Sequence, residues 1–415
     1  MKPGFIFITF VVISAACLSH AQYPARGVGM GNAYSAIARG VHAADSNPAN
    51  LGLPDNPRYM LTLLGAGMHL SNNTFTQAMY NKYNGSVLDV GDVEQILNSI
   101  PEDGFKADFG GHVRTLCLSY NNIAITLGGQ FGGYVNIDKE LFDLALTGNE
   151  RNRRYSLDKT DGKLFGMGHV RISYGHSVPV DFAKAFSLGA SLNLFTTQYY
   201  TSVNRADLQL VTRDFGFDLD GEYSVIHSQS TGSWDITVGA AAVLKDDLQL
   251  SMTIKHLSSR FKWDKHTKEI QGYMRGDSLA VLDFQDTDQQ DIIQDSTWKS
   301  STPAFTTRLP LELNVSAAKQ IGNFLLAAEY NQAFKKDVFV SPVPRISFGA
   351  EWQRVPYIPL RMGLLLGGQM KHGLSLGLGI QLGSFTWDLG LMNRGFFLPS
   401  TNKGLIISTE FGLYF

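Results

Sequence analysis

Eight charged residues stand where an alternating chain puts its polar side. Arg171, Lys255 and Arg361 do so, as do Glu312, Glu329, Glu351, Asp388 and Glu410. In a dry core such charges would be costly. They can serve in one of two ways: the cations can seat an anionic ligand, or the two signs can neutralise one another in an internal network. Bond-making chemistry has no comparable support. The ten histidines include no H-E-x-x-H pair, and His69, His112, His169, His176 and His256 stand singly on alternating segments. No zinc-type Cys/His spacing and no G-x-S-x-G elbow occur. "GVGMG" at 27–31 lacks the preceding strand and following βαβ unit of a nucleotide loop. No enzyme, metal or cofactor is therefore expected.

The elements that position these charges lie in an exported chain. Lys2 followed by the apolar run Phe5–Ala16 and the small-residue site Ser19-His20-Ala21 predicts a signal peptide over 1–21. Only Cys117 remains after it, so no intramolecular disulfide is available. Lys plus Arg total 35 and Asp plus Glu 37, a balance that argues against a nucleic-acid partner. No later apolar run is long enough for a transmembrane helix.

From residue 58 onward the dominant pattern is alternation at period two. Leu309, Leu311, Leu313 and Val315 oppose Glu312, Asn314 and Ser316; Leu248, Leu250, Met252 and Ile254 oppose Gln249, Ser251, Thr253 and Lys255. This reading gives fourteen strands, near 58–73, 109–121, 123–136, 165–178, 185–203, 234–245, 247–258, 309–321, 323–334, 345–355, 358–369, 372–382, 385–395 and 405–415. Tight turns such as Asn121-Asn122, Asp246-Asp247, Gly322-Asn323 and Gly383-Ser384 follow even strands. Long polar connections (74–108, 137–164, 204–233, 259–308, 335–344) follow most odd ones. Short turns at one end and long loops at the other predict an all-β fold: a 14-stranded antiparallel transmembrane β-barrel, exported to a bacterial outer membrane and monomeric. A soluble sandwich would also alternate but would present polar residues outward. Aromatics near strand ends, among them Tyr59, Tyr120, Trp234, Trp352, Trp387 and Tyr414, suit interfacial girdles.

"ARGVGMGNAYSAIARGVHAADSNPANLGL", residues 25–53, resembles the N-terminal hatch of the FadL-type transporters of hydrophobic compounds such as long-chain fatty acids. Gly29, Gly31, Ala33, Ala36 and Ala38 match its small-residue stretch. Asn47, Pro48 and Ala49 match its turn, and Leu51 the apolar position that follows. The resemblance divides the chain into a hatch over 22–57, lodged in the lumen, and a barrel over 58–415. It implies passive uptake of hydrophobic small molecules or lipids across the outer membrane. The ligand would land between external loops, pass through an internal pocket, and leave sideways beside the third strand once the hatch moves.

Residues in matching places can be named. In the first loop Ile96 and Leu97 lie on an apolar helical face that Asp92 would N-cap; in the second, Leu141 and Leu144 form another. The two helices either make a landing groove or close the loops against one another. Gly128, Gly129, Gly132 and Gly133 of the third strand are lateral-opening candidates, because clustered glycines permit bends. Arg171, Lys255 and Arg361 are the cations available to a ligand. PorV-type components of a secretion pathway share the hatch, which leaves an alternative in which the loops bind secreted proteins.

Overall fold

The computed structural model describes residues 24–214, 216–230, 232–279, 294–335 and 341–415; the expected signal peptide lies outside them. Fourteen antiparallel strands form a closed barrel: β1 (Tyr59–Asn72), β2 (Phe105–Tyr120), β3 (Ile123–Ile137), β4 (Asp161–Ser177), β5 (Ala185–Arg213), β6 (Ser233–Val243), β7 (Gln249–Lys255), β8 (Glu312–Ile321), β9 (Phe324–Ala333), β10 (Arg345–Trp352), β11 (Leu360–Gly367), β12 (Lys371–Leu382), β13 (Phe385–Arg394) and β14 (Gly404–Tyr414). Each pairs with its neighbour in the chain, and β14 closes on β1 from Met60↔Tyr414 to Ser71↔Gly404. Asn121, Asp247, Gly322 and Gly383 adopt the positive φ that the tight hairpin turns at one end require.

The strand pattern inverts that of a globular core. Ile125, Ile172, Leu192, Phe348, Met362 and Leu376 are exposed, whereas Ser173, Ser191, Ser347, Glu351, Ser375 and Glu410 are buried. With period two, one face meets lipid and the other the lumen. A charge on the lipid face then has no partner and no water. Phe348→Arg, near the middle of β10, is expected to destabilise the barrel by ~2–4 kcal/mol, read as a lower urea midpoint after refolding into vesicles.

The other end differs from the expected loops. The second half of β5 continues beyond the barrel and pairs with Gly216–Ser230. That strand pairs with Lys265–Leu279, which pairs in turn with Gln294–Ser301. Much of 204–233 and 259–308 is thus sheet. Beyond the bilayer these strands need no apolar face toward lipid, the signal that reveals β1–β14 in the sequence.

Three helices occupy the first two loops: Gln77–Tyr83, Val90–Ser99 and Lys139–Thr147. The second begins earlier than its apolar face suggests. Asp89, not Asp92, is the N-cap; its side chain accepts from the Asp92 amide at 2.8 Å and Asp92 reciprocates, forming a capping box.

Candidate functional site: the lumen and its N-terminal segment

Residues 24–57 include a stretch, 24–53, that runs through the barrel interior and is almost wholly buried, and 54–57 lead out to β1. The segment contains two short helices, α1 (Ala25–Gly29) and α2 (Val41–Asp45), followed by a 3-10 turn over Pro48–Gly52. Strand glycines give it room. A Cβ on Gly175, Gly189 or Gly239 would strike residues 47–52, and one on Gly349, Gly363, Gly377 or Gly390 would strike residues 25–31. The segment therefore touches β4–β6 and β10–β13, on both sides of the lumen. Gly29 packs on Gly377 and its carbonyl accepts from Ser375 Oγ at 3.1 Å, while Gly31 lies against Gly363.

The Asn47-Pro48-Ala49 turn is pinned at both ends of the Asn47 amide. Asn47 Oδ1 accepts from the Ala49 amide at 3.0 Å, closing the cap. Its Nδ2 donates to the Ala240 carbonyl at 2.9 Å and to Ser251 Oγ at 2.6 Å. Pro48 starts the turn, where its fixed φ is suitable and its missing N–H costs nothing.

Ion pairs join the segment to the wall at two further places. Glu351 accepts from Arg26 Nε at 2.7 Å and from Arg361 Nε at 2.6 Å, and Arg361 also donates to Asp388 at 2.5 Å. Asp45, at the end of α2, bridges Arg114 of β2 and Arg171 of β4. Lys255 Nζ donates to the Asp45 carbonyl at 3.0 Å, and Arg114 reaches Glu410 at 2.7 Å. Burial alone would raise the Asp45 carboxyl; the two guanidiniums outweigh it and hold the group well below the usual range. Arg171, Lys255 and Arg361 are thus all engaged, two of them by the segment itself. Glu329 accepts from the Tyr34 and Ser35 amides at 3.1 and 2.9 Å. Sequence reasoning missed Arg26, Asp45 and Arg114.

Above Asp45 lies a cavity of ≈ 40 Å³, lined among others by His112, Arg114, Gln130, His169, Arg171 and Lys255. Its far side is apolar. Inward Phe165, Met167 and Phe195 of β4 and β5 meet a two-stranded ribbon, Phe261–Trp263 paired with Phe305–Thr307. Trp263 is fully buried, 5.6 Å from the Phe165 ring and 5.2 Å from that of Tyr200. The ribbon is a second closure, at the loop end. Trp263→Ala deletes its largest side chain and is expected to cost ~3–5 kcal/mol of local packing. Faster protease cleavage within 256–311, with β1–β14 intact, would register this.

The remaining candidates fall elsewhere. Ile96 is buried and Leu97 half-buried, while Leu141 is exposed and Leu144 half-buried. Their two helices contact one another. Gly128, Gly129, Gly132 and Gly133 each pair with β2 on one side and β4 on the other; the register with β4 is unbroken, whereas the register with β2 shifts directly beside Gly128, between the Arg114↔Gly128 and Leu118↔Ile125 pairs. A Cβ on Gly128 would come within 2.9 Å of the Val113 carbonyl, so this glycine serves close packing. The irregularity lies in β2, between Arg114 and Leu118, where Leu116 has φ +50°. Cys117 Sγ there donates to the Leu127 carbonyl at 3.4 Å. A cleft of ≈ 890 Å³ opens at the turn end, between Leu51–Pro54 and the β2–β3 and β4–β5 turns.

No family model and no curated protein matches this chain. Solved structures do. The toluene transporter TbuX of Ralstonia pickettii superposes with a TM-score of 0.53 at 14% identity, over 95% of this chain and 98% of that one. For the toluene transporter TodX of Pseudomonas putida the values are 0.53, 11%, 95% and 98%. For a FadL homologue of Pseudomonas aeruginosa they are 0.52, 13%, 96% and 99%. The chain has the FadL-type fold. At this level of identity the likeness concerns architecture, and it spans nearly the whole FadL-type barrel.

Proposed function

We propose that the protein is an outer-membrane channel for passive uptake of hydrophobic molecules, with residues 24–57 as its hatch. The observation that carries this reading is the position of that segment. It lies in the lumen, held to the wall by hydrogen bonds, ion pairs and small apolar clusters, while none of the strand pairings that close the barrel runs through it. The FadL-type neighbours include toluene transporters, which supports small hydrophobic cargo. A molecule reaching the loop end would meet the aromatic ribbon, then the polar cavity above Asp45, then the hatch.

The test is chemical identification of what co-purifies with the detergent-extracted, full-length barrel. Fatty acids or hydrocarbons bound in stoichiometric amount are expected. A barrel free of such molecules that instead retains exported proteins would favour the secretion alternative.

A further inference from the structure

We infer that the outward face of the sheet extending β5 binds the phosphorylated sugar head of an outer-leaflet glycolipid, with Lys265, Lys268 and Lys299 on the phosphate and Tyr223 beneath the sugar ring. The inference goes beyond the uptake reading and rests on the outer-membrane placement of the barrel.

The face is fixed by register. Along β5 the lipid side runs through Leu188, Leu192 and Leu194 to Tyr199, all exposed, while Tyr200 on the other side packs on Trp263 within the barrel. Tyr199 pairs with Gln229, Thr201 with His227, Val203 with Val225 and Ala206 with Tyr223, and directly paired residues share a face. The next strand sets Lys265 opposite Gln229, Lys268 opposite His227 and Gly272 opposite Tyr223; the last sets Lys299 opposite Ile270, itself opposite Val225. All three lysines therefore continue the lipid-facing wall, level with Tyr199 or one to two rows beyond it. Lys268 and Lys299 are diagonal neighbours, roughly 7–8 Å apart in a regular ladder, close enough for both ammonium groups to reach one phosphate.

Charge is segregated between the faces. By the same registers Asp207, Asp220, Glu222 and Glu269 lie inward, whereas the outward rows from Tyr199 to Leu208 hold a single carboxylate, Asp295, in the row farthest from the bilayer. Lys265, Lys268 and Lys299 are exposed and enter none of the ion pairs among the described residues. Tyr223 adds a flat surface. A Cβ on Gly272 would fall 2.4 Å from its ring, so the ring lies across that glycine, and its hydroxyl shares a hydrogen bond with Thr297 Oγ1 at 2.9 Å. The ring remains 38% exposed, and a π-face fixed in this way suits the C–H side of a sugar. A phospholipid would engage the lysines but leave this platform unused.

Native mass spectrometry of the full-length, detergent-extracted protein tests the inference, with rough-type lipopolysaccharide as the probe and phosphatidylglycerol as an anionic lipid without a phosphorylated sugar. One lipopolysaccharide should bind in preference to phosphatidylglycerol. Lys268→Gln combined with Lys299→Gln should weaken it about 25-fold, about fivefold for each lysine. Tyr223→Ala should weaken lipopolysaccharide several-fold and leave phosphatidylglycerol unchanged. Lys184→Gln with Lys319→Gln is the control, because these lysines pair with Asp247 and Asp246 at the turn end, and binding should not change. No bound lipopolysaccharide, equal affinity for the two lipids, unchanged binding in either the Lys268–Lys299 or the Tyr223 variant, or the same loss in the control would each overturn the inference.

Discussion

Replacing Gly363 with valine is expected to force residues 25–31 off the barrel wall. A Cβ at this position falls onto the Gly31 amide nitrogen and the Met30 carbonyl carbon. Both are backbone atoms, so no rotamer change relieves the clash. Overpacking of this kind costs ~1–3 kcal/mol, roughly a 5- to 150-fold change in the ratio of docked to undocked segment. Strand β11 pairs on both sides and cannot easily withdraw, so the segment should move. Planar-bilayer recording should show frequent open events in Gly363→Val and a largely closed parent. Gly129→Ala is the control: its Cβ meets nothing closer than 3.7 Å, and the channel should stay closed.

Glu351→Ala should strongly destabilise the wall. It removes a carboxylate shared by Arg26 and by Arg361, whose side chain is only 1% exposed. Stranding a buried partner of this kind costs ~3–5 kcal/mol. Asp388 remains to Arg361, which places the expected loss toward the lower figure. Urea unfolding of the refolded barrel measures the whole loss. Limited proteolysis of residues 24–40 measures the share borne by the N-terminal segment. Glu351→Gln keeps an acceptor and the volume, and should lose less than the alanine variant.

The two variants touch features of unequal legibility in the sequence. Strands were readable wherever lipid demands an apolar face, and the turns wherever a two-residue hairpin demands Asn, Asp or Gly. The part of β5 beyond residue 203 and the sheet built on it were not readable, because strands beyond the bilayer need no apolar face toward lipid. In β2, period two changes phase at the bulge: His112 and Arg114 are buried on one phase, Cys117 and Ser119 on the other. A regular strand that points Cys117 inward would turn Arg114 toward lipid, so the pattern concealed a buried cation.

The partners of Glu351 and Arg171 escaped for another reason. Arg26 lies 325 residues from Glu351 and Asp45 lies 126 from Arg171, and neither local spacing nor charge balance connects them. The wall glycines facing residues 25–31 and 47–52 were likewise invisible as a set. Each satisfies the strand pattern on its own, and only the closed barrel brings them round one segment. The glycines of β3 were visible as a cluster, yet Gly128 and Gly133 lie against neighbouring backbone, Gly129 has room, and the register shift beside Gly128 lies in β2. Glycine in a strand marks close approach as readily as a bend.

The central claim is that this barrel carries hydrophobic molecules through a lumen controlled by its N-terminal segment. Uptake of radiolabelled laurate by cells lacking their own outer-membrane route for it tests this most directly. Cells producing the full-length chain should take up laurate faster than cells without it, and an engineered disulfide tying residues 41–52 to the wall should remove the gain until it is reduced. Uptake equal to that of cells without the protein, with the barrel folded in the outer membrane, would contradict the account.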